Sequence, residues 1–397
     1  MAATALSIVA SLSPELTQAP IQADEPSAPL AGVATRASQA VPLAGVAPQL
    51  EPSLPPSRPA PVSRPEALGA TRATQFQAAL DGARYAAGAY GVTFAAVRDG
   101  ELLWAGSSGV ARDARTRLLA DSTMIVGSVT KTFVAATILQ LVDDGRLHLD
   151  DSVRTHLPAV TQVSPEITIR QLLDHTSGLA DVFNATTRRG LEDHPERAWS
   201  AKRVLATLHG PWYQPGEGWA YANTNYMLLG MIVERVTGST LEQELERRFL
   251  EPLGLDRTQS LVPGDPTSPL APAWVTIFWG SGAMTSSAGD LARWGDALYD
   301  DDVPELGLLD ADVRSAMTRF NRDDYGLGVK RIELDKRWTG YGHTGLLNTY
   351  TTLLLHLPKD DVTVALLVNR THVDLLSMLR ERPAFGGRSL LSLAVDS

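Results

Sequence analysis

Several residue types and patterns are missing from this 397-residue sequence, and each absence excludes a class of function. The lack of cysteine excludes disulfide bonds, thiolate metal sites and a cysteine nucleophile. No stretch approaches the ~18 consecutive apolar residues of a membrane-spanning helix, so we expect no transmembrane segment. The sequence has 35 lysines and arginines and 45 acidic residues, which gives a net charge of −10. This charge leaves no basic surface for nucleic acid. We therefore do not expect nucleic acid as a partner, and nothing in the sequence predicts an oligomeric state.

The first 72 residues are rich in proline and alanine and poor in aromatic residues. They hold nearly half of the 25 prolines and repeat Pro-Leu-Ala-Gly-Val-Ala at 29–34 and 42–47. Such a segment cannot bury enough apolar surface to offset the entropy lost on ordering. We predict a disordered tail over 1–72 and a folded domain over 73–397. The apolar run at 2–12 lacks the preceding positive residues of a signal peptide, so it is a weak export signal.

Hydrophobic periodicity predicts strands near both ends of the domain and helices between them. The predicted strands are 92–97 and 102–105, joined at Asp99-Gly100, and 349–357 and 362–369, joined at a turn from Pro358. The predicted helices begin near Ala73, span 128–144, 167–173, 226–236 and 241–250, and begin again at Leu375, with a Ser239/Glu242 capping box before the fifth. This order predicts an α/β fold in which a helical segment interrupts one sheet, not alternating βαβ units.

Ser128 and Lys131 lie three residues apart at the start of a predicted helix, hence on one of its faces. A lysine held in a dry pocket loses its proton more readily and can then accept one from a serine hydroxyl. Taken alone, the pair is explained equally well by a serine that caps the helix and a lysine that is exposed to solvent. The surrounding helix is otherwise apolar, however, so Lys131 needs a specific partner there.

Two further groups of residues carry polar chemistry. Tyr221 and Asn223 follow a turn-rich segment. A phenolate beside cations can relay a proton, and the Asn223 amide can hydrogen-bond an acyl group. The alternative is that Tyr221 is an aromatic side chain packed in the core and Asn223 is a turn residue. His343, Thr344 and Gly345 precede a predicted strand, where a glycine lets a ligand or another backbone lie close. We expect the backbone N–H groups of Leu346 and Ser128 to bind an oxyanion. No histidine has the spacing of a zinc site such as HExxH.

These three groups, in this order, resemble the serine β-lactamase-related family, which includes the class C β-lactamases and the D-alanyl-D-alanine carboxypeptidases. Their shared pattern is SxxK, then YxN, then Lys or His before Thr-Gly. The resemblance spans about residues 75–380 and extends to supporting stretches at 143–151, 169–179, 215–230, 252–255 and 325–328.

The resemblance implies a fold and a mechanism. The implied fold is a five-stranded antiparallel sheet flanked by helices, with an inserted all-helical subdomain at roughly 150–270 and the site in the cleft between them. Ser128 would attack a carbonyl with Lys131, Tyr221 and His343 as its catalytic partners, of which Lys131 and Tyr221 would move protons. A small-molecule or peptide substrate would be bound by Asn223, Thr344, Gly345, Leu346 and Trp279. The acyl-enzyme would be hydrolysed without metal or cofactor, and the family suggests export.

The sequence departs from the β-lactamases at His343, where they usually carry lysine. A largely neutral imidazole attracts a substrate carboxylate less than an ammonium does. Lys330 or Arg331 would supply the missing charge, or both are surface cations at a strand end. Trp274 and Trp279 either line the pocket or pack in the core.

Three functional hypotheses remain from the sequence. The first is an acyl-serine hydrolase of D-alanyl peptides or related amides. The alternatives are a carboxylesterase on the same scaffold and a penicillin-binding sensor that is acylated with little turnover.

Overall fold

The computed structural model describes residues 70–299, 308–382 and 387–396. The predicted disordered tail therefore lies almost wholly outside the described residues, and its disorder stays a prediction. Within the described part, no helix combines the length and apolar character needed to cross a bilayer.

One large antiparallel sheet organises the domain. In chain order the strands are β1 (Gly91–Arg98), β2 (Glu101–Gly109), β3 (Met124–Ile125), β4 (Gln259–Ser260), β5 (Met284–Ser286), β6 (Lys330–Glu333), β7 (Thr339–Leu347), β8 (Tyr350–Leu357) and β9 (Val362–Val368). The main sheet has the order β2-β1-β9-β8-β7-β6, and β3-β5-β4 form a small second sheet. The two chain ends thus build one sheet, as predicted.

The expected strand count of five is wrong, because the main sheet has six strands. The additional strand is the four-residue edge strand β6, which pairs with only the first part of β7, from Lys330 opposite Gly342 to Glu333 opposite Thr339. Three of its four residues are charged, so it carries no apolar run that would predict a strand. The unpaired remainder of β7 forms an open edge.

The helices occupy the middle of the chain and both faces of the main sheet. They are α1 (Ala70–Ala86), α2 (Thr130–Asp143), α3 (Val153–His156), α4 (Ile169–Leu173), α5 (Ala185–Asp193), α6 (Ala201–Leu205), α7 (Asn223–Thr237), α8 (Leu241–Leu245), α9 (Pro272–Gly282), α10 (Ala288–Tyr299), α11 (Ala311–Met317), α12 (Leu375–Arg380) and α13 (Leu390–Val395). The predicted helix over 241–250 continues beyond α8 as a π-turn, Glu246–Leu250.

The capping box before α8 is shifted by one residue from the prediction. Thr240, not Ser239, accepts the N–H of Gln243, and the Gln243 side chain accepts the N–H of Thr240 in return. Glu242 instead binds the indole of Trp279. Adjacent Ser-x-x-Glu and Thr-x-x-Gln patterns both fit the capping rule, and the tertiary contact of Glu242 decides between them.

The first hairpin shows how local sequence builds the sheet. Arg98 pairs with Glu101, which leaves Asp99 and Gly100 as a two-residue turn, and both adopt positive φ (50° and 76°). Such a turn matches the twist of an antiparallel pair. Alternate residues of β1 then face two separate cores: Phe94 packs with α1, whereas Ala95 faces the core that contains α2.

Candidate active site

Ser128 lies in a 3₁₀ turn, Gly127–Val129, immediately before α2. It is partly exposed, whereas residues 124–127 and 129–139 are buried. The N-cap of α2 is Val129, without a side-chain capping bond, so the alternative of a capping serine is wrong. The Ser128 hydroxyl instead faces the Lys131 amine.

Two glycines bring β7 against this turn. A Cβ on Gly345 would lie 1.9 Å from the carbonyl oxygen of Val126, and a Cβ on Gly127 would lie 2.9 Å from the nitrogen of Leu346. Gly127 also has φ of +53°, which disfavours any other residue. The backbone nitrogens of Ser128 and Leu346 are therefore brought close together, as an oxyanion site requires.

Lys131 is fully buried, at 0% exposure, and its amine has three oxygen neighbours. The Nζ atom lies 3.1 Å from Ser128 Oγ, 2.9 Å from Asn223 Oδ1 and 2.7 Å from the carbonyl oxygen of Ser281. The alternative of a solvated lysine is thus wrong. Burial lowers the pKa of Lys131 well below its ordinary value, and Asp181 opposes this effect.

The neighbours of Lys131 fix the direction of its lone pair when the amine is neutral. The Asn223 and Ser281 oxygens only accept hydrogen bonds, so they take the two amine hydrogens. The remaining tetrahedral position, with the lone pair, faces Ser128. A neutral Lys131 is oriented to remove the hydroxyl proton.

Tyr221 lies between the side-chain amines of two lysines. The amines of Lys131 and Lys330 are 4.8 and 5.2 Å from the centre of its ring. Burial raises the pKa of Tyr221, and only its interaction with Ser128 opposes this. Burial therefore favours the neutral phenol over the expected phenolate in the resting enzyme. Among the described residues, Ser128 is the side chain that the buried Tyr221 hydroxyl approaches, and no other partner holds its proton.

Asn223 is the first residue of α7 and is held from both ends of its amide. Oδ1 accepts from Lys131, and Nδ2 donates to Asp181 Oδ2 at 3.1 Å. The second Nδ2 hydrogen remains for a substrate oxygen. Asp181 also accepts the backbone N–H of Asn223, so this carboxylate fixes the amide orientation.

His343 is fully buried beside Tyr221, with ring centres 6.3 Å apart. Its Nδ1 lies 2.6 Å from the Thr344 carbonyl oxygen, which only accepts, so Nδ1 carries the proton. Nε2 then accepts the hydroxyl hydrogen of Tyr325 at 2.9 Å. Burial lowers the pKa of His343 well below its ordinary value. The ring is neutral with both nitrogens bound, and it positions β7.

Lys330 and Arg331, the two candidates for the missing positive charge, have different surroundings. Arg331 is exposed and faces Asp324 and Glu333. Within the described residues, no hydrogen bond or ion pair joins the Lys330 ammonium to an acidic group. Burial alone lowers the pKa of Lys330 to about 8.

The sequence comparison identifies the family. The model of the family described as Beta-lactamase matches residues 74–382, which is more than half of the chain. The chain belongs to the Beta-lactamase family. The described residues include no group of three or more His, Asp or Glu side chains that would hold a metal ion.

Individual members of the Beta-lactamase family agree with this assignment. Penicillin-binding protein 4 of Amycolatopsis lactamdurans is 30% identical over 70% of this chain and 80% of its own length. D-aminopeptidase of Brucella anthropi is 30% identical over 64% of this chain, which spans about half (51%) of that protein. The structure of a D-stereospecific amidohydrolase from Streptomyces sp. has a TM-score of 0.65 and 30% identity, covering 77% of this chain and 97% of that one.

Family membership and fold establish the reaction class. The chain is a serine hydrolase of the Beta-lactamase family. The comparisons do not favour the esterase and sensor alternatives.

The two tryptophans take different positions. Trp279 packs against Gly230 and donates its indole hydrogen to Glu242 at 2.7 Å, which is the packing alternative. Trp274 stacks on Phe278 at 5.6 Å and reaches Phe183. We therefore leave Trp279 out of the proposed site.

The sequence did not predict several residues that support the site of this Beta-lactamase-family chain. Asp181, Ser281 and Tyr325 orient Asn223, Lys131 and His343 respectively. His175 accepts hydrogens at Nδ1 from the backbone of Ala222 and from Asn225, and its ring lies 4.3 Å from that of Tyr221. His175 and Tyr325 lie inside stretches that carry the family resemblance, and this was their only signal.

Proposed function

We propose that this enzyme hydrolyses an amide bond next to a D-amino acid residue and prefers substrates with a free carboxylate, such as peptides ending in D-alanyl-D-alanine. The names of the D-aminopeptidase and the D-stereospecific amidohydrolase support the D-configuration. The carboxylate preference rests on Lys330.

The Lys330 ammonium carries this proposal because it lacks an ionic partner inside the site. Lys330 is half-buried, and a charge that is partly shielded from water and unpaired is costly unless a ligand supplies the opposite charge. Lys330 pairs with Gly342 on β7, next to His343. It thus places a cation beside the position where the β-lactamases usually have their lysine.

The first chemical step follows from the geometry of Ser128, Lys131 and Tyr221. Ser128 Oγ attacks the carbonyl carbon while neutral Lys131 takes its proton. The oxyanion binds to the N–H groups of Ser128 and Leu346. When the C–N bond breaks, Tyr221 donates its proton to the leaving nitrogen and recovers one from the Lys131 ammonium.

Hydrolysis of the acyl-enzyme uses the same groups. Lys131 is neutral again and accepts a proton from the attacking water, and Ser128 then leaves with that proton. Asn223 binds the acyl part through its free Nδ2 hydrogen, and Thr344 and Gly345 line the open edge of β7. Every proton is returned, so no cofactor enters the cycle.

A second candidate, an aminopeptidase-type activity, draws support from Asp181. Its carboxyl group lies next to Asn223 and, when ionised, would attract a substrate ammonium, but burial raises the pKa of Asp181. Asp181 already accepts hydrogens from Asn223 and from the backbone of Phe183, however. Lys330 has no such partners, which favours carboxylate recognition.

The test compares substrates that differ only in the carboxylate. An N-acyl-D-alanyl-D-alanine peptide and its C-terminal amide are assayed with wild type, Lys330→Ala and the control Arg331→Ala. We expect wild type and Arg331→Ala to prefer the acid, and Lys330→Ala to lose about tenfold or more in kcat/KM on the acid only. Equal loss on both substrates, or faster wild-type cleavage of D-alanine amide with its free amine, would refute the carboxylate proposal.

A further inference from the structure

Three aromatic side chains form a partly open apolar surface, which we call the aromatic platform: Phe183, Trp274 and Phe278. The Phe183 ring centre lies 5.2 Å from that of Phe278 and 6.5 Å from that of Trp274. Trp274 and Phe278 stack at 5.6 Å. Phe278 is buried, whereas Phe183 is 40% exposed. The platform therefore has a packed base and an exposed ring.

The platform is joined to the catalytic amine by two short chains of hydrogen bonds. On one side, the backbone N–H of Phe183 donates to Asp181, which accepts from Asn223, which in turn accepts from Lys131. On the other side, the Phe278 carbonyl accepts the hydroxyl hydrogen of Ser281 at 2.8 Å. The Ser281 carbonyl accepts from Lys131. The backbone segments that carry Phe183 and Phe278 are thus anchored at the site where Asn223 lies.

Local structure does not account for the exposed ring of Phe183. It precedes Asn184, the N-cap of α5. An apolar residue at this position often packs on the fourth helical residue as a hydrophobic staple. That residue is Arg188, which offers no such contact. The ring is therefore available to a ligand.

We propose that the aromatic platform binds an apolar side chain of the acyl residue of the substrate and so selects D-amino acid residues with aromatic or branched aliphatic side chains. The inference rests on the proposed function and adds the identity of the acyl residue. Asn223, which offers its free Nδ2 hydrogen to the acyl part, directs that part of the substrate toward the platform. Aromatic rings prefer offset or edge contacts, which Phe183 offers at its exposed side.

The experiment uses p-nitrophenyl esters of N-acetyl-D-alanine and N-acetyl-D-phenylalanine, because their good leaving group makes acylation independent of amide cleavage. Wild type, Phe183→Ala and the conservative Phe183→Leu are compared. Tyr85→Ala is the matched control, since Tyr85 is 74% exposed on α1, which packs on the other face of the sheet. We expect Phe183→Ala to lose roughly tenfold in kcat/KM on the phenylalanyl ester and less than about twofold on the alanyl ester. On the phenylalanyl ester, the kcat/KM of Phe183→Leu should lie between those of wild type and Phe183→Ala, and Tyr85→Ala should match wild type.

Several outcomes would overturn the inference. An equal change on both esters would make Phe183 a structural residue, and no change on either would remove the platform from the site. A molecular mass that doubles for wild type and not for Phe183→Ala would assign the platform to contact between two copies of the chain. If wild type shows the side-chain preference on esters and cleaves no D-peptide, the proposed function fails and the platform stands.

Discussion

At the scale of residues, the site is governed by burial of groups that are usually charged. Lys131, His175 and His343 are all fully buried, and desolvation lowers the pKa of each. Neutral forms are therefore favoured at a site that holds one further cation, Lys330. Because each neutral group has defined donors and acceptors, the hydrogen-bond network fixes which atom carries a proton. The proposed mechanism therefore uses Lys131, and not His343, as the base.

Lys330 gives a pH prediction that depends on the substrate. Its pKa is lowered to about 8, so the ammonium is present below that pH and is lost as pH rises through it. We expect kcat/KM on a peptide with a free carboxylate to decline above about pH 8, and kcat/KM on the corresponding amide to show no decline there. Activity on both should fall at low pH as Lys131 becomes protonated. The measurement is a pH profile of kcat/KM for the two substrates.

The same profile in Lys330→Arg is the control, because a guanidinium keeps its charge well above this range. The decline above pH 8 on the acid substrate should disappear in that variant. A decline shared by the acid and the amide in wild type would instead show that Lys330 does not bind the carboxylate.

At the scale of elements, the site depends on how closely β7 approaches the turn before α2. Gly127 and Gly345 remove the side chains that would separate them. The four-residue β6 pairs with only part of β7, so the rest of that edge has no partner strand among the described residues. Trp294 fixes the other side of α2, since its indole donates to Thr132 and its ring stacks on Phe133 at 3.9 Å.

Gly345→Ala tests this close approach. The new methyl group would meet the backbone carbonyl of Val126, which cannot move aside as a side chain can. We expect β7 to shift and the Leu346 N–H to leave the oxyanion site, at a cost of about 10²–10³-fold in kcat. Steady-state kinetics on folded protein, verified by circular dichroism, gives the measurement.

Gly289→Ala is the matched control for this variant. The nearest atom to its added methyl is Ser287 Oγ at 3.9 Å, an ordinary contact, so activity should be retained. If Gly345→Ala had the same kinetics as Gly289→Ala, the close approach of β7 to the turn before α2 would not matter for activity.

At the scale of the whole molecule, the site joins residues that are distant in the chain. The early motifs, Ser128 to Lys131 and Tyr221 to Asn223, were predictable because each lies on one short segment with a specific pattern. The α/β fold was predictable because apolar strands mark both ends of the chain. The sixth strand, β6, could not be predicted from the sequence, because it is short, mostly charged and held by its pairing with β7.

The residues that support the site could not be predicted from the sequence, for a different reason. Asp181 and Tyr325 carry no local pattern that distinguishes them from other polar residues. Their roles arise only when the fold places them against Asn223 and His343. The role of His343 changed for the same reason, because its partner Tyr325 lies 18 positions away on a separate segment.

The central claim, that Ser128 forms the acyl-enzyme, is tested most directly by mass spectrometry. The full chain is mixed with N-acetyl-D-phenylalanine p-nitrophenyl ester, quenched within seconds and digested, and the acylated peptide is sequenced. The account predicts a transient adduct on Ser128, with no adduct and no turnover in Ser128→Ala. An adduct on another residue, or a Ser128→Ala variant that turns over at the wild-type rate, would contradict it.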